Sequence, residues 1–320
     1  SAQPTYNFLT IFNPDEETSD LKLRVFSNPG ELIEERSIQL NPFQQIDIAL
    51  GHEIGQTTGL YEIIPKTGSK FGTFLARYHA SSDANYNFGY SLSPAKPSCK
   101  HVIPISTTEY ALNWLELANA ANTSQTVKIV LRDRYGNQVH SETKEIPGRA
   151  QYHLFVNNSL DPNQIWQTGT ATIDCNTEDG ILAQSNFYGR NSFEESKVQW
   201  AYSSQGARVS PAQSGDSLLT GYNTNFNAAN WLKLNQAGSA SISPALTLFN
   251  SSGNVIESAI VSVAGLGSED IPIHEAAHEK DSEIGAVIAS ISGNQSQVAA
   301  ELIRVFYNDL GRVALVMPTP

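Results

Sequence analysis

The chain has 320 residues, with 20 lysines and arginines against 32 aspartates and glutamates, which gives a formal charge of −12. An acidic chain without a basic cluster argues against nucleic acid or an anionic membrane as a partner. No run of about 18 apolar residues occurs, so the sequence predicts no membrane-spanning segment. Charged residues make up only 16% of the chain, and the remaining polar surface is largely neutral, which we expect of a secreted or cell-surface β-protein.

A long internal repeat decides how many domains to expect. Phe8, Trp114 and Trp231 each open a short alternating strand, and they lie 106 and 117 positions apart. The turn glycines Gly30 and Gly136 keep the first of these offsets. A repeat of this length is a whole small domain rather than a solenoid turn of about 20–50 residues. The sequence therefore predicts three copies of one domain.

Within each copy the sequence predicts β-strands. Leu21 to Val25 and Val127 to Leu131 alternate apolar with polar residues, as half-buried strands do. About seven strands per copy are spaced as in a β-sandwich, and no long amphipathic helix is evident. The predicted core includes the following inward-facing side chains: Leu23, Val25, Leu115, Leu117, Ile129, Leu131, Leu232, Leu234, Leu246 and Leu248.

These repeats resemble the tandem immunoglobulin-like or fibronectin-III-like sandwich repeats of bacterial surface and secreted proteins. The resemblance implies an all-β chain of three tandem immunoglobulin-like antiparallel β-sandwich domains. We place these domains at residues 1–97, 98–207 and 208–320. The connecting segments, rich in proline, serine and glycine, are short, so we expect a semi-rigid rod. Such repeats serve as stalks, adhesive modules or carbohydrate-contacting modules, and the resemblance implies one of these roles.

Two cysteines, Cys99 and Cys175, both lie in the second copy. An even count within one domain suits a disulfide in an oxidising compartment, and we predict that bond. Two unrelated buried thiols are the alternative.

Two motifs resemble enzyme signatures. His274-Glu275-Ala276-Ala277-His278 resembles the zinc-protease motif, which needs a helix to bring both histidines to one face. Because Pro272 lies just upstream, we predict a loop with a solvent-facing Glu275 instead. The segment around Ser217 resembles the nucleophile block of GDSL-type hydrolases, but it follows a linker rather than a buried parallel strand. Acidic turns such as 15–20 carry oxygen ligands suited to calcium, yet their spacing matches no EF-hand.

The aromatic that opens each copy lies on the strand face opposite the core leucines. Phe8, Trp114 and Trp231 share that face with polar residues. Flat aromatics beside polar groups stack on sugars or partner surfaces, so these three are the candidate ligand-binding residues. The alternative is that they pack where two domains join, and that is the interpretation we favour.

The sequence as a whole predicts a non-enzymatic extracellular module with a structural or adhesive role. Carbohydrate binding through the exposed aromatics is the alternative, and a hydrolase (zinc protease or GDSL-like esterase) is the second alternative. We expect no cofactor and no metal site. The expected partner is an extracellular protein or glycan, and the expected location is secreted, periplasmic or cell surface.

Overall fold

A computed structural model of the chain describes residues 5–50, 59–80, 86–159, 168–177, 180–190, 192, 197–208, 217–277, 284–291 and 298–319. These residues form an all-β structure with one five-residue α-helix and three 3-10 turns, as the strand pattern predicted. No helix in the described ranges is long and apolar enough to cross a membrane.

The strands are numbered in chain order. The first seven are β1 (Thr5–Phe12), β2 (Ser19–Ser27), β3 (Leu32–Leu40), β4 (Gln45–Leu50), β5 (Gly59–Pro65), β6 (Gly72–Ala80) and β7 (Tyr86–Leu92). The next nine are β8 (Lys100–Ser106), β9 (Leu112–Asn119), β10 (Gln125–Asp133), β11 (Gln138–Ile146), β12 (Gln151–Phe155), β13 (Thr168–Cys175), β14 (Ile181–Gly189), β15 (Trp200–Gln205) and β16 (Ala207–Arg208). The last eight are β17 (Ser217–Asn223), β18 (Ala229–Gln236), β19 (Ala245–Asn250), β20 (Val255–Ile260), β21 (Ser268–Pro272), β22 (Ile284–Ser290), β23 (Val298–Tyr307) and β24 (Val313–Thr319), with helix α1 (Ile273–Ala277) after β21.

These strands form six antiparallel sheets, which we group into three sheet pairs by chain order. The first pair has the strand orders β4-β1-β6-β7 and β3-β2-β5. The second has β12-β9-β14-β15 and β11-β10-β13-β8-β16, and the third has β21-β18-β23-β24 and β17-β22-β19-β20. The sheets β4-β1-β6-β7, β12-β9-β14-β15 and β21-β18-β23-β24 follow the same order of strand connections.

Each sheet pair encloses its own apolar cluster, because side chains on one face of each sheet meet between the two sheets. Leu9 on β1 and Leu23 on β2 are fully buried in the first cluster. Leu115 and Ile129 occupy the corresponding places in the second cluster, and Leu232 takes the place of Leu9 in the third. All ten side chains predicted for the core are buried, so the prediction of strand faces is confirmed.

The sequence pattern missed one strand in each of the last two pairs. β8 pairs with β13, and β17 pairs with β22, each ahead of the strand that opens the repeat. Neither shows clean alternation: β8 is buried at six consecutive positions from His101 to Ser106, and β17 follows the proline- and serine-rich linker. Among the described residues of the first pair, no strand occupies the corresponding place beside β5.

The predicted disulfide is not formed in this structure. Both cysteines are thiols, although they are neighbours. The Cys175 N–H donates to Cys99 Sγ at 3.0 Å, and the Cys175 thiol donates to the Thr177 carbonyl oxygen at 3.2 Å. The two sulfurs are thus held by backbone partners rather than bonded to each other.

Candidate functional site

The candidate ligand-binding aromatics all lie partly buried, each against another ring. Phe8 packs edge-on against Tyr78, with ring centroids 6.1 Å apart. Trp114 lies tilted on Phe155 at 4.7 Å. Trp231 meets His274 edge-on at 5.2 Å and also packs against an apolar cluster shared by the second and third sheet pairs. The structure does not bring the three together; each lies in its own sheet.

Consecutive sheet pairs contact each other at two surfaces, which we call the joints. In the first joint the β2–β3 turn lies against the β11–β12 turn. The Gln151 N–H donates to the Asn28 carbonyl oxygen at 2.8 Å, and its side chain Nε2 donates to the Gly59 carbonyl oxygen at 2.7 Å. Gly30 has a φ of +95°, and a Cβ there would lie 2.3 Å from the Gly148 carbonyl oxygen. Glycine is therefore required at position 30 by conformation and by close approach.

Arg149 adds charge and apolar contact to the first joint. Its Nη2 lies 3.1 Å from the Glu62 carboxylate, and its guanidinium lies 5.4 Å from the centre of the Phe26 ring. Phe26 and Leu60 of the first pair form a buried cluster with Ala118 of the second. A planar guanidinium suits this place because it pairs with a carboxylate and stacks on a ring simultaneously.

The second joint repeats the first. The Ser268 N–H donates to the Arg134 carbonyl oxygen at 3.1 Å. Gly136 has a φ of +84°, and a Cβ there would lie 2.2 Å from the Gly265 carbonyl oxygen. The Arg134 guanidinium contacts both carboxylate oxygens of Glu269 at 2.9 Å. The same two turns, displaced by one repeat, therefore meet in the same way.

The strands that end each repeat complete both joints. In the first joint, Phe88 and Tyr90 of β7 pack edge-on against Tyr188 of β14, and the Tyr90 and Tyr188 hydroxyls are 3.0 Å apart. In the second joint, Trp200 and Tyr202 of β15 are buried in the shared cluster. That cluster also includes Phe187 of β14, Ile303 and Val305 of β23, and Val313 and Val316 of β24.

Two pairs of hydrogen-bonded polar side chains lie near that cluster. Ser204 Oγ donates to Glu301 Oε2 at 2.6 Å across the second joint, and Lys233 Nζ donates to Asp270 Oδ2 at 2.8 Å on the same sheet. Burial raises the pKa of Glu301 to about 7, although the Ser204 hydrogen bond and the Lys233 charge oppose this shift. Glu301 thus titrates near neutral pH at a place where two sheet pairs meet.

The motifs that resemble enzyme signatures are placed as follows. His274 lies in helix α1, so the predicted loop is wrong there; the five-residue helix begins directly after Pro272. Glu275 is exposed, as predicted, and His278 lies outside the described residues. Ser217 begins strand β17 with its hydroxyl 3.3 Å from that of Ser290, not on a strand-to-helix turn. Within the described ranges, no three histidine, cysteine, aspartate or glutamate side chains cluster as metal ligands would.

The sequence pattern did not indicate the contacts that the turns and the late strands make between sheet pairs. The positive-φ glycines were recognised as hairpin residues, while Gln151 and Tyr202 carried no signal of a joint. One further correspondence appears only in the structure: Phe43, Arg149 and Leu266 also lie 106 and 117 positions apart, and all three adopt a positive φ. A second turn of unusual conformation therefore recurs once per copy, opposite the glycine turn.

No family model and no curated protein matches this sequence. Among solved structures, it is similar to a candidate secreted protein from Parabacteroides distasonis, with 10% identity and a TM-score of 0.17 over 72% of this chain and 87% of that one. It is also similar to a protein of the infectious bursal disease virus particle, with 11% identity and a TM-score of 0.19 over 99% of this chain and 72% of that one. Scores this low carry no argument about function.

Proposed function

We propose that this chain is a non-enzymatic extracellular structural module of three immunoglobulin-like β-sandwiches held in a fixed mutual arrangement. The domains are those predicted from the sequence, at residues 1–97, 98–207 and 208–320. One observation carries the proposal: the two joints use the same turns and the same late strands at equivalent positions. A chain whose domains were only tethered would have no need to repeat a backbone hydrogen bond and a glycine close approach at each joint.

The test uses Trp231, which the joint interpretation and the ligand interpretation treat differently. If Trp231 packs the second joint, Trp231→Ala changes the small-angle scattering profile of the chain and leaves any whole-cell binding unchanged. Leu219→Ala, at an exposed position of the same sheet pair, is the control and leaves the profile unchanged. Lost binding with an unchanged profile would instead assign the aromatic to a ligand, and the structural proposal would fail.

Carbohydrate binding is the second candidate, and the Phe8–Tyr78 pair favours it. These rings pack together on the β4-β1-β6-β7 sheet, outside the two joints described above, and Tyr78 is 38% exposed. Exposed rings next to polar groups are suited to stacking on sugars. A glycan array with the unmodified chain and with Phe8→Ala tests this: signals lost in the variant would support it, and no sugar-dependent signal would exclude it.

A further inference from the structure

We propose that chains assemble head to tail, with the third sheet pair of one copy binding the first sheet pair of a second copy. The tail surface comprises Gly253, Leu315 and Met317; the head surface comprises Phe43, Gln45 and Tyr78. This inference rests on the proposed structural role, because it extends the joint found twice within the chain to a third joint between chains. Its basis is that the first and third sheet pairs each present exposed side chains at the positions that form one half of that joint.

The turn at Gly253 has the same backbone conformation as the turns at Gly30 and Gly136, which lie in the two joints. Gly253 follows Gly136 by 117 positions, as Gly136 follows Gly30 by 106, and all three have a φ between +78° and +95°. A Cβ added to Gly30 or Gly136 would lie 2.3 or 2.2 Å from a carbonyl oxygen of the turn in the next sheet pair. Around Gly253 no atom lies within 4 Å of where a Cβ would be. The turn at Gly253 thus has the backbone conformation of the joint turns, with open space beside it.

The tail strand carries the matching apolar side chains. Tyr90, Tyr202 and Met317 occupy equivalent positions in the strand register of the three sheet pairs. Across three neighbouring strands, the paired residues are Tyr90–Arg77–Asn7 in the first pair, Tyr202–Phe187–Asn113 in the second and Met317–Arg304–Asn230 in the third. These three asparagines are again 106 and 117 positions apart.

Two residues before this position come Phe88, Trp200 and Leu315. Trp200 and Tyr202 are each only 5% exposed in the second joint. Leu315 and Met317 are 41% and 37% exposed. In the second sheet pair these positions are buried against the third pair. The exposed apolar side chains at the same positions of the third pair therefore indicate a surface for another sheet pair to bind.

The head turn carries the other half. Phe43 corresponds to Arg149 and Leu266; all three have a φ between +56° and +63°, and Phe43 is 68% exposed. Arg149 stacks on Phe26 in the first joint. In the proposed joint Phe43 would face Phe249, which occupies the position of Phe26 in the third copy.

Gln45 and Tyr78 extend the correspondence along the head surface. Gln45 lies 106 positions before Gln151, whose backbone and side chain both donate across the first joint. Tyr78 corresponds to Tyr188, which receives Phe88 and Tyr90 of the preceding pair. The head surface thus has both a glutamine that can hydrogen-bond to the glycine turn and a tyrosine ring that can pack against the late strand.

Because head and tail are different surfaces, their contact is heterologous and leaves a free head and a free tail on every assembly unless it closes into a ring. Within one chain the short linker holds the joint at an effective concentration on the order of millimolar. No linker raises the effective concentration between two chains, so we expect assembly only at high protein concentration.

The experiment is sedimentation equilibrium of the unmodified chain up to about 1 mM, which matches the effective concentration that the linker provides within one chain. The expected result is a mass that rises with concentration above the 34.8 kDa of one chain. Two variants each block one surface. Gly253→Asn suits a positive φ and has open space in the single chain, but it would meet a carbonyl oxygen in the joint. Phe43→Asp, at an exposed positive-φ position, removes the ring from the head.

Each variant alone should remain a monomer, whereas an equimolar mixture should form a dimer and nothing larger, because one free tail meets one free head. Gly68→Asn is the matched control: it has a φ of +89°, has nothing within 4 Å and should associate like the unmodified chain. Circular dichroism checks that every variant is folded.

A chain that stays monomeric up to about 1 mM would overturn the proposal. Association that neither variant weakens, or variants that fail to pair with each other, would overturn it as well. Trp231→Ala scattering tests the joints inside the chain separately, so failure of assembly and failure of the structural role are distinguishable.

Discussion

Glu301 illustrates at the scale of one residue how a joint changes chemistry. Its carboxylate accepts a hydrogen bond from Ser204 of the preceding sheet pair, and burial raises its pKa to about 7 from a usual value of 4.5. A carboxyl group whose pKa is higher in the folded state binds its proton more tightly there than in the unfolded chain. Folding therefore becomes less favourable as the pH rises past the unfolded pKa.

We expect the contribution of Glu301 to stability to be fully present below about pH 4.5 and to be lost progressively up to about pH 7. Glu301→Gln cannot ionise, so it should be more stable than the unmodified chain at pH 8, by at most a few kcal/mol, and the gain should shrink towards pH 4.5. Urea unfolding at several pH values measures the difference. A gain that does not change with pH would show that Glu301 does not titrate in this range.

Cys99 and Cys175 lie close enough to hydrogen-bond, and this proximity has a measurable consequence. Burial, with the neighbouring Cys99, raises the pKa of Cys175 to about 12, so little thiolate is present at neutral pH. We expect slow alkylation by iodoacetamide at pH 7.5, and oxidation by diamide into a bond within one chain rather than between chains. Non-reducing electrophoresis and mass spectrometry distinguish the two products. Fast alkylation of Cys175 in the folded chain would contradict the assigned burial.

At the scale of elements, the glycine turns offer a matched pair of positions. Gly136 and Gly253 have φ values of +84° and +78°, so alanine strains the backbone similarly at both. Only at position 136 would the added Cβ also meet a neighbouring carbonyl oxygen, at 2.2 Å. The difference in unfolding free energy between the two variants therefore measures the loss of the joint contact separately from the backbone strain of the turn.

We expect Gly136→Ala to lower the free energy of unfolding more than Gly253→Ala does, and to make the segment after β15 more sensitive to limited proteolysis. Urea unfolding and trypsin digestion with mass spectrometry measure the two effects. Equal losses of stability with equal digestion would mean that the turn contact does not hold the second joint.

At the scale of the whole molecule, the cluster around Tyr202 joins two sheet pairs into one apolar unit. Residues of β14 and β15 share it with residues of β18, β23 and β24. Burial of large side chains from both pairs couples their unfolding, because opening either pair exposes the same cluster.

We expect the second and third sheet pairs to unfold in one calorimetric transition. Tyr202→Ala, which removes a ring worth roughly 3–5 kcal/mol when buried, should split that transition in two. Leu310→Ala, at a position 77% exposed, should leave it single. A single transition in Tyr202→Ala at an unchanged temperature would show that the cluster does not couple the pairs.

The sequence by itself determined the all-β class, most of the strands and their inward faces. Alternation with period two decides which side of a strand is apolar, and this local pattern placed Leu117, Ile129 and Leu234 correctly in the core. Strands such as β8, which are buried on both faces, do not alternate, and the pattern missed them for that reason.

Only the tertiary structure decided how the copies meet. Gln151, Glu301 and Tyr202 act at the joints through partners about 90 or more residues away or in another sheet pair, and no local pattern encodes such a contact. The disulfide between Cys99 and Cys175 was likewise predicted from the number of cysteines. Only the three-dimensional structure shows that both are thiols with backbone hydrogen-bond partners. Local chemistry fixes what each strand buries, whereas the relative placement of the sheet pairs depends on contacts that are distant in the chain.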